Sequence, residues 1–256
     1  MYYAKKQKKV ISLLLSMAFC ISFIPYVTAQ EPAEPILIQV NQLEIRPDMV
    51  EQFRSVHRDV FMPASRANGT PWRLTSTIAL GNTLETTVVT PIPNMAFLDS
   101  QNGPGSTELE GQLALELWAK TVQARRSFIV TSRPDMSLPV EPQTGLTVVY
   151  RFQVKSGMIP QFVTLWNEKV IPALQASNVV GTQVFQTIQG GLIGEFYSLT
   201  PIPDFASADG PGPFSGLEPQ AAGALNLELA TLLDELEITY NRVDQELSYG
   251  LPGTQP

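Results

Sequence analysis

Apolar residues along the chain recur with two periods, and the switches between those periods lay out an ordered series of elements. Extended apolar stretches at Ile36 to Ile45 and Leu146 to Val154 are bounded by turn chemistry, Arg46-Pro47-Asp48 and Lys155-Ser156-Gly157. After each, large residues step by three and four, as on one face of a helix: Val50, Phe53, His57, Val60/Phe61 and Ala64, then Ile159, Phe162, Trp166, Val170 and Ala173. Two strands follow each helix, about Trp72 to Leu80 with Leu84 to Thr90, and Thr182 to Gln189 with Ile193 to Thr200. Gly81-Asn82 and Gly190-Gly191 are read as their hairpin turns, because these residues tolerate positive φ. A Pro/Gly-rich loop then leads to a Leu/Glu/Ala-rich helix, Thr107 to Gln123 and Leu217 to Leu236. A last strand closes each series, Arg126 to Ser132 and Glu237 to Val243.

The two series read as one unit written twice. TPIP occurs at 90–93 and again at 200–203, an offset of 110, followed by GPG at Gly103 and GPGP at Gly210. Upstream, Gln42 to Phe53 matches Arg151 to Phe162 at offset 109, and Phe61-Met62-Pro63-Ala64 matches Val170-Ile171-Pro172-Ala173. Downstream, Leu113 to Trp118 matches Leu225 to Ala230 at offset 112. A period of domain size points to a duplicated domain and not to a solenoid. The expected organisation is therefore repeat one at 36–133, a linker at 134–145, repeat two at 146–247, and a loose tail from Leu251.

Each repeat has the order βαββαβ, the ferredoxin-like unit. Such a unit covers one face of its sheet with helices and leaves the other face to be buried by something else. A second copy on the same chain offers the matching sheet, so the expectation is an α+β fold of two ferredoxin-like repeats forming an intramolecular dimeric α/β barrel.

Composition narrows the chemistry. Residues 1–29 read as a signal peptide: lysines at 5, 6, 8 and 9, a 14-residue apolar run from Ile11 to Ile24, and Val27-Thr28-Ala29 as the cleavage signal. Cleavage there would leave 227 residues and a soluble protein secreted to the periplasm or beyond, with no stable membrane insertion. Cys20 offers a lipid-anchored alternative, but the preceding Phe19 and the apolar residues after it disfavour that reading. Without the signal, 13 basic residues face 24 acidic ones, a balance that argues against nucleic acid as a partner. Cys20 is the sole cysteine and His57 the sole histidine, so metal sites of the usual His/Cys kind are excluded, and no metal or cofactor is expected. Nucleophile elbows, phosphate-binding loops and dinucleotide fingerprints do not occur.

With the element order go short blocks: V-x-P-A at the end of the first helix, TPIP after the third strand, and Arg133 to Ser137 (RPDMS) after the fourth. On these the chain resembles a tandem, secreted bacterial member of the dimeric α/β-barrel superfamily, near the antibiotic-biosynthesis-monooxygenase and NIPSNAP-like groups. The resemblance implies a scaffold that hosts oxygenases, haem enzymes, isomerases and non-enzymatic proteins alike. Among the haem-degrading members an asparagine on the first strand acts with a tryptophan and a histidine. Asn41 stands in a similar setting, but the second repeat places Tyr150 there and the second helix of repeat one carries no histidine.

Four residues are candidate ligand-binding positions: Asn41, His57, Arg151 and Trp166. His57 and its counterpart Trp166 lie in the apolar stripe of the first helix of their repeats, where a flat side chain packs on the sheet; the functional alternative for His57 is a general base or axial ligand. Arg151, Glu44, Gln42 and Gln153 alternate with the apolar residues of their strands and are expected between the two sheets. There they either fix the register or, through Arg151, hold a carboxylate-bearing ligand, with Glu85 and Glu195 able to pair with the arginine. Trp72, Trp118 and Tyr197 have no aromatic counterpart in the other repeat. The function expected is binding of a small apolar or aromatic molecule in a helix–sheet cleft. The alternatives are a cofactor-independent monooxygenase and a non-enzymatic envelope protein, with oligomerisation beyond the internal pairing left open.

Overall fold

In every strand of the protein, side chains that alternate along the chain divide between a barrel interior and an outer layer of helices. The computed structural model describes residues 34–100, 108–140, 145–179, 181–210 and 212–251. The segment read as a signal peptide, with Cys20, the first GPG loop, residues 141–144 of the expected linker and the residues beyond Leu251 lie outside the described residues.

The elements are β1 (Leu37–Ile45), helix α1 (residues 50–67), β2 (Leu74–Leu80), β3 (Glu85–Ile92), α2 (Glu108–Thr121) and β4 (Val122–Ser132). They continue with β5 (Leu146–Val154), α3 (residues 159–176), β6 (Gln183–Gln189), β7 (Glu195–Ile202), α4 (Pro219–Leu232) and β8 (Leu233–Val243). The strands close into one barrel in the order β1-β3-β2-β8-β5-β7-β6-β4, every neighbouring pair antiparallel. Two seams, β2 with β8 and β4 with β6, join the first half of the chain to the second. Four antiparallel steps separate β1 from β5, so these two strands run in the same direction and the two ends of the barrel differ.

Ile38, Val40 and Gln42 of β1 point inward, while Leu43 and Ile45 pack outward on Phe53 and Met62 of α1. In the second half Phe152 and Val154 of β5 pack on Phe162, Trp166 and Val170 of α3. Period-two strands set against period-3.6 helices bury both faces of each sheet, one on helices and one on the opposite sheet.

Both α1 and α3 contain a single wide turn, at His57–Phe61 and Trp166–Val170, where Met62 and Ile171 donate to the carbonyls of His57 and Trp166 five residues back. Pro63 and Pro172 follow directly. Proline supplies no N–H and its ring would strike the preceding turn, so widening that turn lets the helix pass it unbroken.

Three sequence expectations shift. The helices α2 and α4 end at Thr121 and Leu232, and the strands begin on the next residue, earlier than the polar runs at Gln123–Arg126 and Asp234–Glu237 suggest. These residues form the ladder with β1 and β5, Arg125 opposite Leu43 and Glu235 opposite Gln153, so pairing overrides their helix propensity. The last helical carbonyls, of Thr121 and Leu232, accept from the N–H groups of Arg46 and Lys155, both at 2.9 Å. The hairpins β2–β3 and β6–β7 are also wider than two-residue turns, spanning residues 81–84 and 190–194, because Ile45 and Val154 donate into them at Leu84 and Gly194.

The segments after β4 and β8 are straps and not loose connections. Residues after β4 cross to the second half, where Leu138 bridges Thr182 and the fully buried Met136 joins the core beneath Trp166. Residues after β8 cross the other way, where Tyr249 bridges Arg73 and Leu247 joins the core around Phe53. The hydroxyls of Ser137 and Ser248 perform matching tasks, each accepting at 2.9 Å from the N–H of the strand it crosses, Val184 and Thr75. Gly181 and Gly250 mark the crossings: both have positive φ, and a Cβ would sit 2.1 Å from the Pro139 carbonyl oxygen and 2.3 Å from that of Pro71.

Candidate functional site: a cavity inside the barrel

The inward side chains do not fill the barrel. They leave a cavity of about 350 Å³, in the range of small-molecule sites. Its wall is apolar and aromatic toward the end where β1 and β5 begin: Ile38, Val40, Leu74, Val89, Phe128, Val149, Phe185 and Leu199, with Trp72 from the segment before β2. Tyr197 stacks on Phe128 with ring centroids 5.7 Å apart.

Toward the opposite end the lining becomes charged. Glu195, at the start of β7 and with its side chain wholly buried, accepts from Arg126 Nη2 at 2.6 Å, Thr187 Oγ1 at 3.0 Å and Arg151 Nη1 at 3.4 Å. Arg151 continues the network to Glu237 at 2.8 Å and Glu235 at 2.6 Å. Burial on its own would raise the Glu195 carboxyl, but hydrogen bonds and charge from Arg126, with help from Thr187 and Tyr197, outweigh it and hold the pKa below the usual range. Burial and the neighbouring Glu195 charge push the Tyr197 phenol up. Glu85 faces the same pole with no side-chain hydrogen bond among the described residues, and burial together with the charges of Glu237 and Glu44 raises its carboxyl. The Oδ1 of Asn241 is buried beside the cavity without a partner among the described residues. The site thus combines an apolar body with a pole of fixed charges and two groups free to meet a ligand.

Of the four predicted residues, Arg151 lines this cavity and the other three do not. Asn41 lies on the outer face of β1, where its Oδ1 accepts from Arg125 Nη2 at 3.0 Å. His57 and Trp166 are each 3% exposed in the helix–sheet layers of the first and second halves. Trp166 donates to the Met136 carbonyl at 2.8 Å and is walled in by Phe152 and Phe162. His57 lies between Phe53 and Phe61, with Arg73 at its Nδ1 and the Trp118 indole N–H 3.1 Å from its Nε2. Its pKa falls to about 3 through burial and then the charge of Arg73. The large cavity is therefore between the sheets and not between helix and sheet, because the aromatic stripes of α1 and α3 occupy the latter space. Gln42 also lines the cavity as its phase predicts, as does Glu85, whereas Glu44 and Gln153 do not line it. Sequence reasoning missed Arg126, although it opens the strand expected at Arg126 to Ser132 and shares its phase with Phe128 and Val130. Among the described residues no group of three His, Cys, Asp or Glu is placed to hold a metal ion.

No family model matches the chain, and no curated protein matches it in sequence. Solved structures do match in shape. A candidate monooxygenase from Lactobacillus acidophilus superposes with a TM-score of 0.54 at 11% identity, over 83% of this chain and 95% of that one. A candidate monooxygenase from Fusobacterium nucleatum gives 0.52 at 12%, over 82% and 93%. An anthrone oxidase-like protein gives 0.57 at 10%, over 86% and 97%. At these identities the likeness is one of fold, and the fold is the dimeric α/β barrel. Here a single chain closes it.

Proposed function

We propose that the protein binds a small molecule with an apolar, flat body inside the barrel, its polar group directed at the charged pole. The observation that carries this reading is the cavity of about 350 Å³ with an aromatic wall at one end and Glu85, Arg126 and Arg151 at the other. Calorimetric titration with naphthalene- and anthracene-sized probes tests it against Val89→Phe and Leu199→Trp, which narrow the cavity. Micromolar binding that weakens at least tenfold in both variants is expected; equal affinity in wild type and variants places the ligand elsewhere.

A second reading, a cofactor-independent monooxygenase acting in the same cavity, draws on the names of the structural neighbours and on Glu85. A carboxylate with a raised pKa and no hydrogen bond at the edge of an apolar pocket is suited to removing a proton from a bound quinol. Oxygen uptake with a quinol panel would then fall about a hundredfold in Glu85→Gln. Uptake unchanged in that variant removes Glu85 from the chemistry.

The two halves are, on this proposal, duplicated ferredoxin-like units, supported by the repeated blocks and by the same βαββαβ order on either side of the linker. Export is supported by the basic, apolar and small-residue order of residues 1–29. Mass spectrometry of the protein recovered from its native host tests export together with ligand binding. A chain beginning at Gln30 with a co-purifying small molecule is expected; an intact N-terminus overturns export.

A further inference from the structure

Outside the barrel cavity, the helix–sheet layer of the first half contains a cationic cluster that the reading above does not use. Trp72 and Leu74 line the barrel, so Arg73 between them points the opposite way, under α1. It is 4% exposed. Among the described residues no carboxylate lies within ion-pair distance of it, and its buried Nε has no partner. Among the described residues the side chain's hydrogen-bonded neighbour is the His57 ring at Nδ1, and Trp118 addresses the opposite edge of the same ring at Nε2. A neutral imidazole accepts at one nitrogen only. His57 stays neutral here, with its pKa near 3. Two donors thus compete for one acceptor while a third, Arg73 Nε, meets none.

The matching places in the second half show what the layer looks like without this cluster. Trp166 stands where His57 does and hydrogen-bonds a carbonyl, Thr182 precedes β6 as Arg73 precedes β2 and is satisfied by Ser198, and Phe196 stands across from Phe162. Among the described residues that layer carries no buried cation. A buried guanidinium without a counter-charge is costly, and the cost is relieved when an anion joins it.

We propose that Arg73, through its unpartnered Nε, anchors a site for a small monovalent anion beside the His57 ring, separate from the barrel cavity. The chemistry is that of a compact acceptor, supplied by a free halide or by the carboxylate of an organic molecule. Arg73 is the charged anchor. Trp118, half-buried and capped by the exposed Arg125 with its Cζ 5.3 Å from the ring centroid, stands on the solvent side of the cluster.

Thermal melts of the whole protein in sodium chloride, bromide, acetate or gluconate at equal ionic strength test the site. Saturable stabilisation by chloride and bromide, absent with the bulky gluconate and weakened at least tenfold in apparent affinity by Arg73→Gln, supports a halide site. The same behaviour with acetate supports a carboxylate source. Equal melts in all four salts, or an anion response unchanged by Arg73→Gln, overturn the proposal. Should the variant fail to fold, bromide-soaked crystals of the wild type decide: anomalous density beside Arg73 supports the site, and a water or no density there overturns it.

Discussion

His57 shows how one residue carries both structural and electrostatic consequences. Its place in the apolar stripe of the first helix was readable from the three- and four-residue steps, and burial follows from that stripe. Arg73 was not read as buried, although the alternation Trp72-Arg73-Leu74 turns it away from the barrel as soon as its two neighbours are known to face inward. Because the folded ring holds a pKa near 3 against 6.5 for the free side chain, the unfolded chain binds a proton between these values and the folded chain does not. Stability is therefore unaffected above pH 6.5 and falls as the pH drops below it. The slope is at most about 1.4 kcal/mol per pH unit, or about 2 kcal/mol between pH 7 and 5. Urea denaturation at those two pH values should show that loss in the wild type and its absence in His57→Phe. Parallel losses in both proteins would mean that the ring is solvated.

At the scale of elements, the straps are what local pattern reading could not deliver. Residues 134–140, at the start of the expected linker, and residues 244–250, before the expected tail, have no period of their own. What gives them structure is the opposite half of the chain: Met136 fills the second core and Leu247 the first. Arg54 of α1 adds ion pairs to Asp244 and, at 2.8 Å, to Glu246. A tail removed from solvent costs nothing, but a strap removed from a core leaves a cavity. Leu247→Ala and Met136→Ala should each lower unfolding free energy by about 2–4 kcal/mol, read from denaturant midpoints at constant slope. Truncation after Val243 should cost more than Leu247→Ala, because it also removes Asp244 and the Ser248 hydrogen bond to the Thr75 N–H. A truncated protein as stable as the intact one would show the strap to be passive.

For the whole molecule, closure of the barrel ties the two halves together through β2–β8 and β4–β6, so each half alone exposes two strand edges and an apolar sheet face. Residues 34–140 and 145–251 produced separately should self-associate in light-scattering measurements and recombine one-to-one on mixing, since an open edge and an apolar face both seek a partner. A stable monomeric half would contradict this. The element order, the helix stripes, the inward phase of Gln42 and Arg151, and the acidic balance followed from the sequence alone, because periodicity and charge are local properties of the chain. The tertiary structure decided that the room for a ligand lies between the sheets, that Arg126 and Glu195 meet at its pole, and that Arg73 is buried beside His57. Those outcomes depend on registers between strands more than a hundred residues apart, and on how completely bulky aromatic side chains fill one layer and not the other.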